Sequence, residues 1–112
     1  MSKDFQFVQK HLHVPSGQDG VLSVFGQDCV YMDKKGVAVK GDLSAVAILV
    51  KCGNNTIDLT NFANAAALPS GCWFTYSTTE AYCVIPFPVD VVTVVVDNAD
   101  SDTDVSFYAG SA

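Results

Sequence analysis

Runs of β-branched and aromatic residues recur along this chain about every ten residues, and each is bounded by Gly, Pro, Asn or Asp. Spacing this short leaves no room for crossover helices, so parallel βαβ topology is excluded. The expected fold is all-β: an antiparallel β-sandwich or jelly-roll-like barrel of about 8–10 short strands. The predicted runs are Phe5 to Gln9, His11 to Val14, Val21 to Phe25, Cys29 to Met32, Val37 to Lys40, Ala45 to Cys52, Thr56 to Leu59, Cys72 to Ser77, Ala81 to Ile85, Val89 to Val96 and Asp104 to Tyr108. Residues 1–14 read as an N-terminal extended arm, and residues 15–112 as a single β-sandwich domain.

The connections carry turn chemistry. Asp33-Lys34-Lys35-Gly36 reads as a hairpin loop closed by a positive φ at Gly36, which would pair Cys29 to Met32 with Val37 to Lys40. Residues 15–20, 40–42, 53–55 and 97–100 are further turns. Pro86-Phe87-Pro88 forms a stiff corner that separates two strands. At most one short helix is expected, near 60–68, capped by Thr60 or Asn61; an irregular loop that tucks Phe62 and Leu68 into the core fits the same residues.

Charge narrows the partners. The chain carries 6 Lys+Arg against 12 Asp+Glu, a net charge of −6, with basic residues adjacent only at Lys34-Lys35. Phosphate backbones require a basic stripe, so no nucleic-acid partner is expected. Of the acids only Glu80 is not Asp, and Asp marks turns and caps rather than helix interiors. No apolar run approaches the roughly 18 residues that span a bilayer, so no membrane partner is expected either. The N-terminus lacks an export signature, which implies folding in a reducing cytoplasm. Cys29, Cys52, Cys72 and Cys83 lie in or beside apolar runs without a close pair, the pattern of small buried hydrophobes rather than of a zinc site.

Chemistry-bearing constellations are sparse, and neither an enzyme nor a bound cofactor is expected. His11 and His13 flank Leu12 and so share one face of a strand, where they supply two imidazole ligands or a polar outer surface. Asp100, Asp102 and Asp104 alternate like the opening of a calcium loop, but Val105 and Ser111 stand where an EF-hand needs Gly and Glu. Trp73, Tyr76 and Tyr82 near Glu80 are the candidate stacking residues for a sugar. The run Val89 to Val96 is apolar on both alternating faces except at Asp90 and Thr93, and Ala45 to Val50 reads the same way. Such strands are covered on both sides or lend one face to a neighbouring subunit. The expected contact residues are Phe5, Phe7, Phe87, Val92, Val94 and Val96.

The N-terminal segment Ser2 to Val14, the valine strand Val89 to Val96 and the small-residue tail Ala109-Gly-Ser-Ala112 together resemble the small head decoration, or cement, proteins of tailed bacteriophages. The resemblance implies a structural protein of the virion that clamps the major capsid protein lattice and forms homo-oligomers, trimers foremost. A carbohydrate-binding or adhesin-like β-sandwich module, such as a tail-fibre domain, is the alternative.

Overall fold

Nine strands run through the described residues of the computed structural model, which are 6–25, 34–59, 73–75, 77–86 and 88–111. They are β1 (Gln6–Val14), β2 (Gly20–Phe25), β3 (Lys34–Lys40), β4 (Val46–Cys52), β5 (Asn55–Asp58), β6 (Trp73–Thr75), β7 (Glu80–Val84), β8 (Val91–Val96) and β9 (Thr103–Ser111). A single 3₁₀ turn, Leu43–Ala45, precedes β4 among these residues. The proposed helix near 60–68 lies outside them. No helix of the described residues is long and apolar enough to cross a membrane.

The strands form two antiparallel sheets, one ordered β1-β9-β3-β7-β6 and the other β2-β8-β4-β5. With β6 set aside, this is the order of a double-sheet jelly roll: four strands in each layer, with the connections β1–β2, β3–β4, β7–β8 and β8–β9 each stepping between layers. The expected antiparallel sandwich is therefore present, in its jelly-roll form.

Alternation builds the core. In β8, Val92, Val94 and Val96 are buried while Val91, Thr93 and Val95 are half-buried; in β9, Val105, Phe107 and Ala109 are buried while Asp104, Ser106 and Tyr108 are half-buried. Val37, Val39, Ala81 and Cys83 join the β9 residues from the five-stranded sheet; Val24, Val46, Ile48 and Val50 join the β8 residues from the other. Leu43, Leu59, Ile85, Val89 and Ala99 belong to the same buried cluster. Each fully buried Val, Leu, Ile or Phe contributes roughly 1.5–3 kcal/mol, so these inward faces are what hold the layers together.

Two expectations are corrected. Gly36 does not close a hairpin. It lies within β3, outside the positive-φ positions, and β3 is flanked by β9 over Lys34–Lys40 and by β7 over Gly36–Lys40. Both edges of Val37 to Lys40 are thereby occupied; Cys29 to Met32 lies outside the described residues. Glycine is required at 36 because Tyr82 lies across it: a Cβ there would meet the Tyr82 hydroxyl and, at 2.7 Å, the Cys83 carbonyl oxygen. Lys35, expected in the loop, is 4% exposed on the inward side of β3.

Secondly, Val92, Val94 and Val96 are 0%, 1% and 0% exposed and belong to the core, not to a contact surface. The parity of the strand is the reverse of the expected one, and a one-residue shift exchanges every side chain between faces.

The segment expected as an arm is extended. From Gln6 onward it pairs with β9 over nine consecutive positions, from Gln6↔Ser111 to Val14↔Thr103, as the edge strand of the five-stranded sheet.

Candidate functional site

Three connections between the layers meet at one end of the sandwich: residues 15–19, 41–45 and 97–102. Asp side chains tie them together by accepting backbone N–H groups. The Asp102 carboxylate accepts from Ser16 N at 2.9 Å, Asp19 from Asn98 N at 2.8 Å, and Asp42 from Asp100 N at 2.8 Å and from Ser44 N at 3.2 Å. The Ser44 hydroxyl adds a 2.6 Å bond to Asp42. Buried Thr103 is satisfied on both sides: its Oγ1 accepts from Asp42 N and donates to the Ser101 carbonyl oxygen, both at 3.0 Å. Gly41 passes beneath the β8–β9 turn with φ +135, where a Cβ would sit 2.5 Å from the Asp102 carbonyl oxygen.

Asp100, Asp102 and Asp104, the calcium candidates, are thus put to other uses. Asp102 holds Ser16, Asp104 faces two histidines, and Asp100 is bound through its backbone, its N–H to Asp42 and its carbonyl oxygen to the Ser16 hydroxyl at 3.0 Å. Among the described residues no group of three His, Cys, Asp or Glu is placed to hold a metal ion.

The Asp42 carboxyl is held below its ordinary 3.8, first by the N–H of Asp100 and then by the Ser44 hydroxyl. Its contribution to stability is complete above 3.8 and is lost as the pH falls through the lowered value. Asp42→Ala is expected to cost about 1–2 kcal/mol at neutral pH, the usual cost of removing a capping acceptor. Urea unfolding should show that penalty shrinking as the pH is lowered below the carboxylate range.

The outer face of the five-stranded sheet is polar at the end nearest these turns. Here β1 and β9 set His11 opposite Ser106 and His13 opposite Asp104. His13 Nδ1 donates to Asp104 Oδ1 at 2.8 Å; His11 Nε2 lies 3.2 Å from the same oxygen, and His11 Nδ1 lies 2.9 Å from Ser106 Oγ. The two imidazoles therefore converge on one carboxylate rather than on an open coordination site. Beyond them the face continues with Lys40, whose ammonium is 3.9 Å from Glu80.

The outer face of the four-stranded sheet is different. Register places Val21, Val95 and Ala47 in one row, Ser23, Thr93 and Leu49 in a second, and Phe25, Val91 and Lys51 in a third. Val21 and Phe25 are 59% and 49% exposed, and Ala47, Leu49, Val91 and Val95 are half-buried. The polar residues of these rows are Ser23, Thr93 and Lys51; Asp58 and Thr56 of β5 extend the second and third rows. Between the strands, Leu49, Lys51, Thr56, Val91 and Thr93 line a shallow depression of about 190 Å³. Apolar side chains one position out of phase with the core valines thus gather on this face, with Ser23 and Thr93 between them and Leu49 bridging the rows on β4.

Of the expected contact residues, Val92, Val94 and Val96 point the other way. Phe5 and Phe87 lie outside the described residues, and Phe7 is placed only by its backbone, opposite Gly110. Of the candidate sugar-stacking residues, Trp73 pairs in register with Cys83, Tyr82 is half-buried opposite Ala38, and Tyr76 lies outside the described residues. Val21, Phe25, Leu49, Val91 and Val95 were not among the expected contact residues. Their signal was present in the apolar character of both faces of Val89 to Val96 and Ala45 to Val50.

No protein-family model matches this chain, and no curated protein does. Among solved structures the chain is similar to one from Bacillus endospore appendages, described as forming a novel family of disulfide-linked pili. That likeness has 13% sequence identity and a TM-score of 0.37, and covers 98% of this chain and 93% of the other.

Proposed function

We propose that this protein is a non-enzymatic structural module that acts by assembly, as the head decoration proteins it resembles do, with the outer face of the four-stranded sheet as its contact surface. The observation that carries this reading is the exposure of Val21 and Phe25 on a sheet face shared with Ala47, Leu49, Val91 and Val95. A single-chain sandwich normally turns polar side chains outward from each sheet, as the five-stranded sheet does around His11, His13, Asp104 and Lys40. Apolar side chains gathered on one exposed face mark an interaction site.

Magnitude favours a lattice over an isolated pair. Four strands about 4.8 Å apart and about six residues long give a face of about 19 by 20 Å, or roughly 400 Å². A stable pairwise interface takes about 800 Å² from each partner. One such face therefore gives a weak contact, and repetition over many copies is what makes a weak contact effective. Jelly rolls serve in viral capsid domains among others, which agrees with a place in a virion beside a major capsid protein, with trimers as the expected unit.

Sedimentation velocity tests this. Self-association is expected to emerge between about 0.1 and 1 mM, corresponding to about −5.5 to −4 kcal/mol, and to vanish in the Val21→Asp/Phe25→Asp double variant. The same variant should fail to pellet with assembled capsid shells that retain the wild type. A wild type that stays monomeric throughout and ignores such shells contradicts the proposal.

A further inference from the structure

Among the described residues, the N-terminal strand β1 is held to its sheet along one side. It is the edge of its sheet and among the described residues pairs with β9, contributing Val8, Leu12 and Val14 to the core, with Lys10 on the same side opposite Phe107, and Gln9, His11 and His13 to the outer face. On that outer face, its two imidazoles both meet Asp104 of β9. They are about half exposed, so protons reach them freely, and removing the proton from His13 weakens its contact with the carboxylate.

We propose that His11, His13 and Asp104 form a pH-operated latch that fastens the N-terminal strand to its sheet between mildly acidic and neutral pH and loosens it at alkaline pH. The surroundings bias the latch towards closure. On this face β9 contributes Asp104 and Tyr108, the β8–β9 turn brings Asp102 near His13, β3 contributes Lys40 opposite Asp104 and, at its other end, Lys34, and β7 contributes Tyr82 and, beside Lys40, Glu80. Near the histidines Lys40 is offset by Glu80, and the field of Asp102 adds to that of Asp104 at His13.

The His13 imidazole is held protonated above its ordinary 6.5, chiefly by the hydrogen bond to Asp104. Its contribution is therefore complete below 6.5 and is lost as the pH rises through the raised value. The Asp104 carboxyl is held ionised below its ordinary 3.8, first by the hydrogen bond from His13 and then by the charges of both histidines. Its contribution is complete above 3.8 and is lost as the pH falls through the lowered value. The latch is closed between those limits. Opening it uncovers the β9 edge, a row of backbone donors and acceptors able to pair with another strand.

Hydrogen exchange by NMR tests the latch, with rates corrected for intrinsic pH dependence and β1 amides compared with those of central β8, so that changes in global stability cancel. The β1-to-β8 protection ratio is expected to be highest near pH 5–6 and to fall severalfold by pH 8. In Asp104→Asn, which keeps an acceptor but loses the charge, the ratio should be low and flat across that range. His13→Gln, an independent variant on the other strand, should flatten it likewise. A wild-type ratio that does not change with pH, or an unchanged pH dependence in either variant, overturns the proposal.

Discussion

Val94→Asp is expected to prevent folding, whereas Val95→Asp, one position along the same strand, is expected to leave a folded protein. Val94 is 1% exposed between the two sheets, with Leu22 and Ile48 beside it in register. A carboxylate placed there has no partner, and an unpaired buried charge costs several kcal/mol, comparable with the roughly 5–15 kcal/mol that holds a domain of this size. Val95 faces outward between Val21 and Ala47, where a carboxylate reaches water; the expected cost is about 1 kcal/mol, the span of strand propensity. Far-ultraviolet circular dichroism and urea unfolding of the two variants separate these outcomes. Equal stability of the pair contradicts the assignment of inner and outer faces.

Phe107→Ala carries the second large effect. Phe107 is fully buried at the middle of β9, between Lys10 of β1 and Val37 of β3, and is among the largest side chains of the core. Removing an enclosed phenyl ring costs about 3–5 kcal/mol, since the surrounding strands cannot close over the space. Phe107→Leu, which keeps most of the volume, should cost under about 1.5 kcal/mol by the same measurement. A small loss in the alanine variant would mean that the two layers are not packed through this residue.

The sequence disclosed the strands more readily than their partners. Alternation at Val105 and Phe107 against Asp104 and Ser106 located β9 and its wet face, because polar and apolar residues differ there. In Val91 to Val96 both faces are apolar, so periodicity could not say which is inward; that choice is made by the pairing of β8 with β2 and β4, which are far away in sequence. The Lys34-Lys35-Gly36 turn was read from local chemistry alone. In the fold, a glycine that passes under Tyr82 in mid-strand carries the same letter as one that closes a hairpin.

The site followed the same division. His11 and His13 were identifiable as a pair on one strand face, but their carboxylate comes from Asp104, across the β1–β9 pairing that joins the two ends of the chain. Asp100, Asp102 and Asp104 formed a recognisable acidic run, yet what they accept from or face, namely Ser16, His11 and His13, lies at the other end of the sequence. Jelly-roll order brings such distant segments side by side, and local pattern does not encode it. Val21 and Phe25 became visible as surface only when β2 was placed beside β8.

Methyl NMR with a soluble paramagnetic probe tests the contact face most directly, by comparing dilute protein with the concentrated or lattice-bound form. Assembly should shield the methyl groups of Val21, Leu49, Val91 and Val95 while His11, on the opposite sheet, stays as accessible as before. Assembled protein in which those four methyl groups remain fully open to the probe would contradict the account.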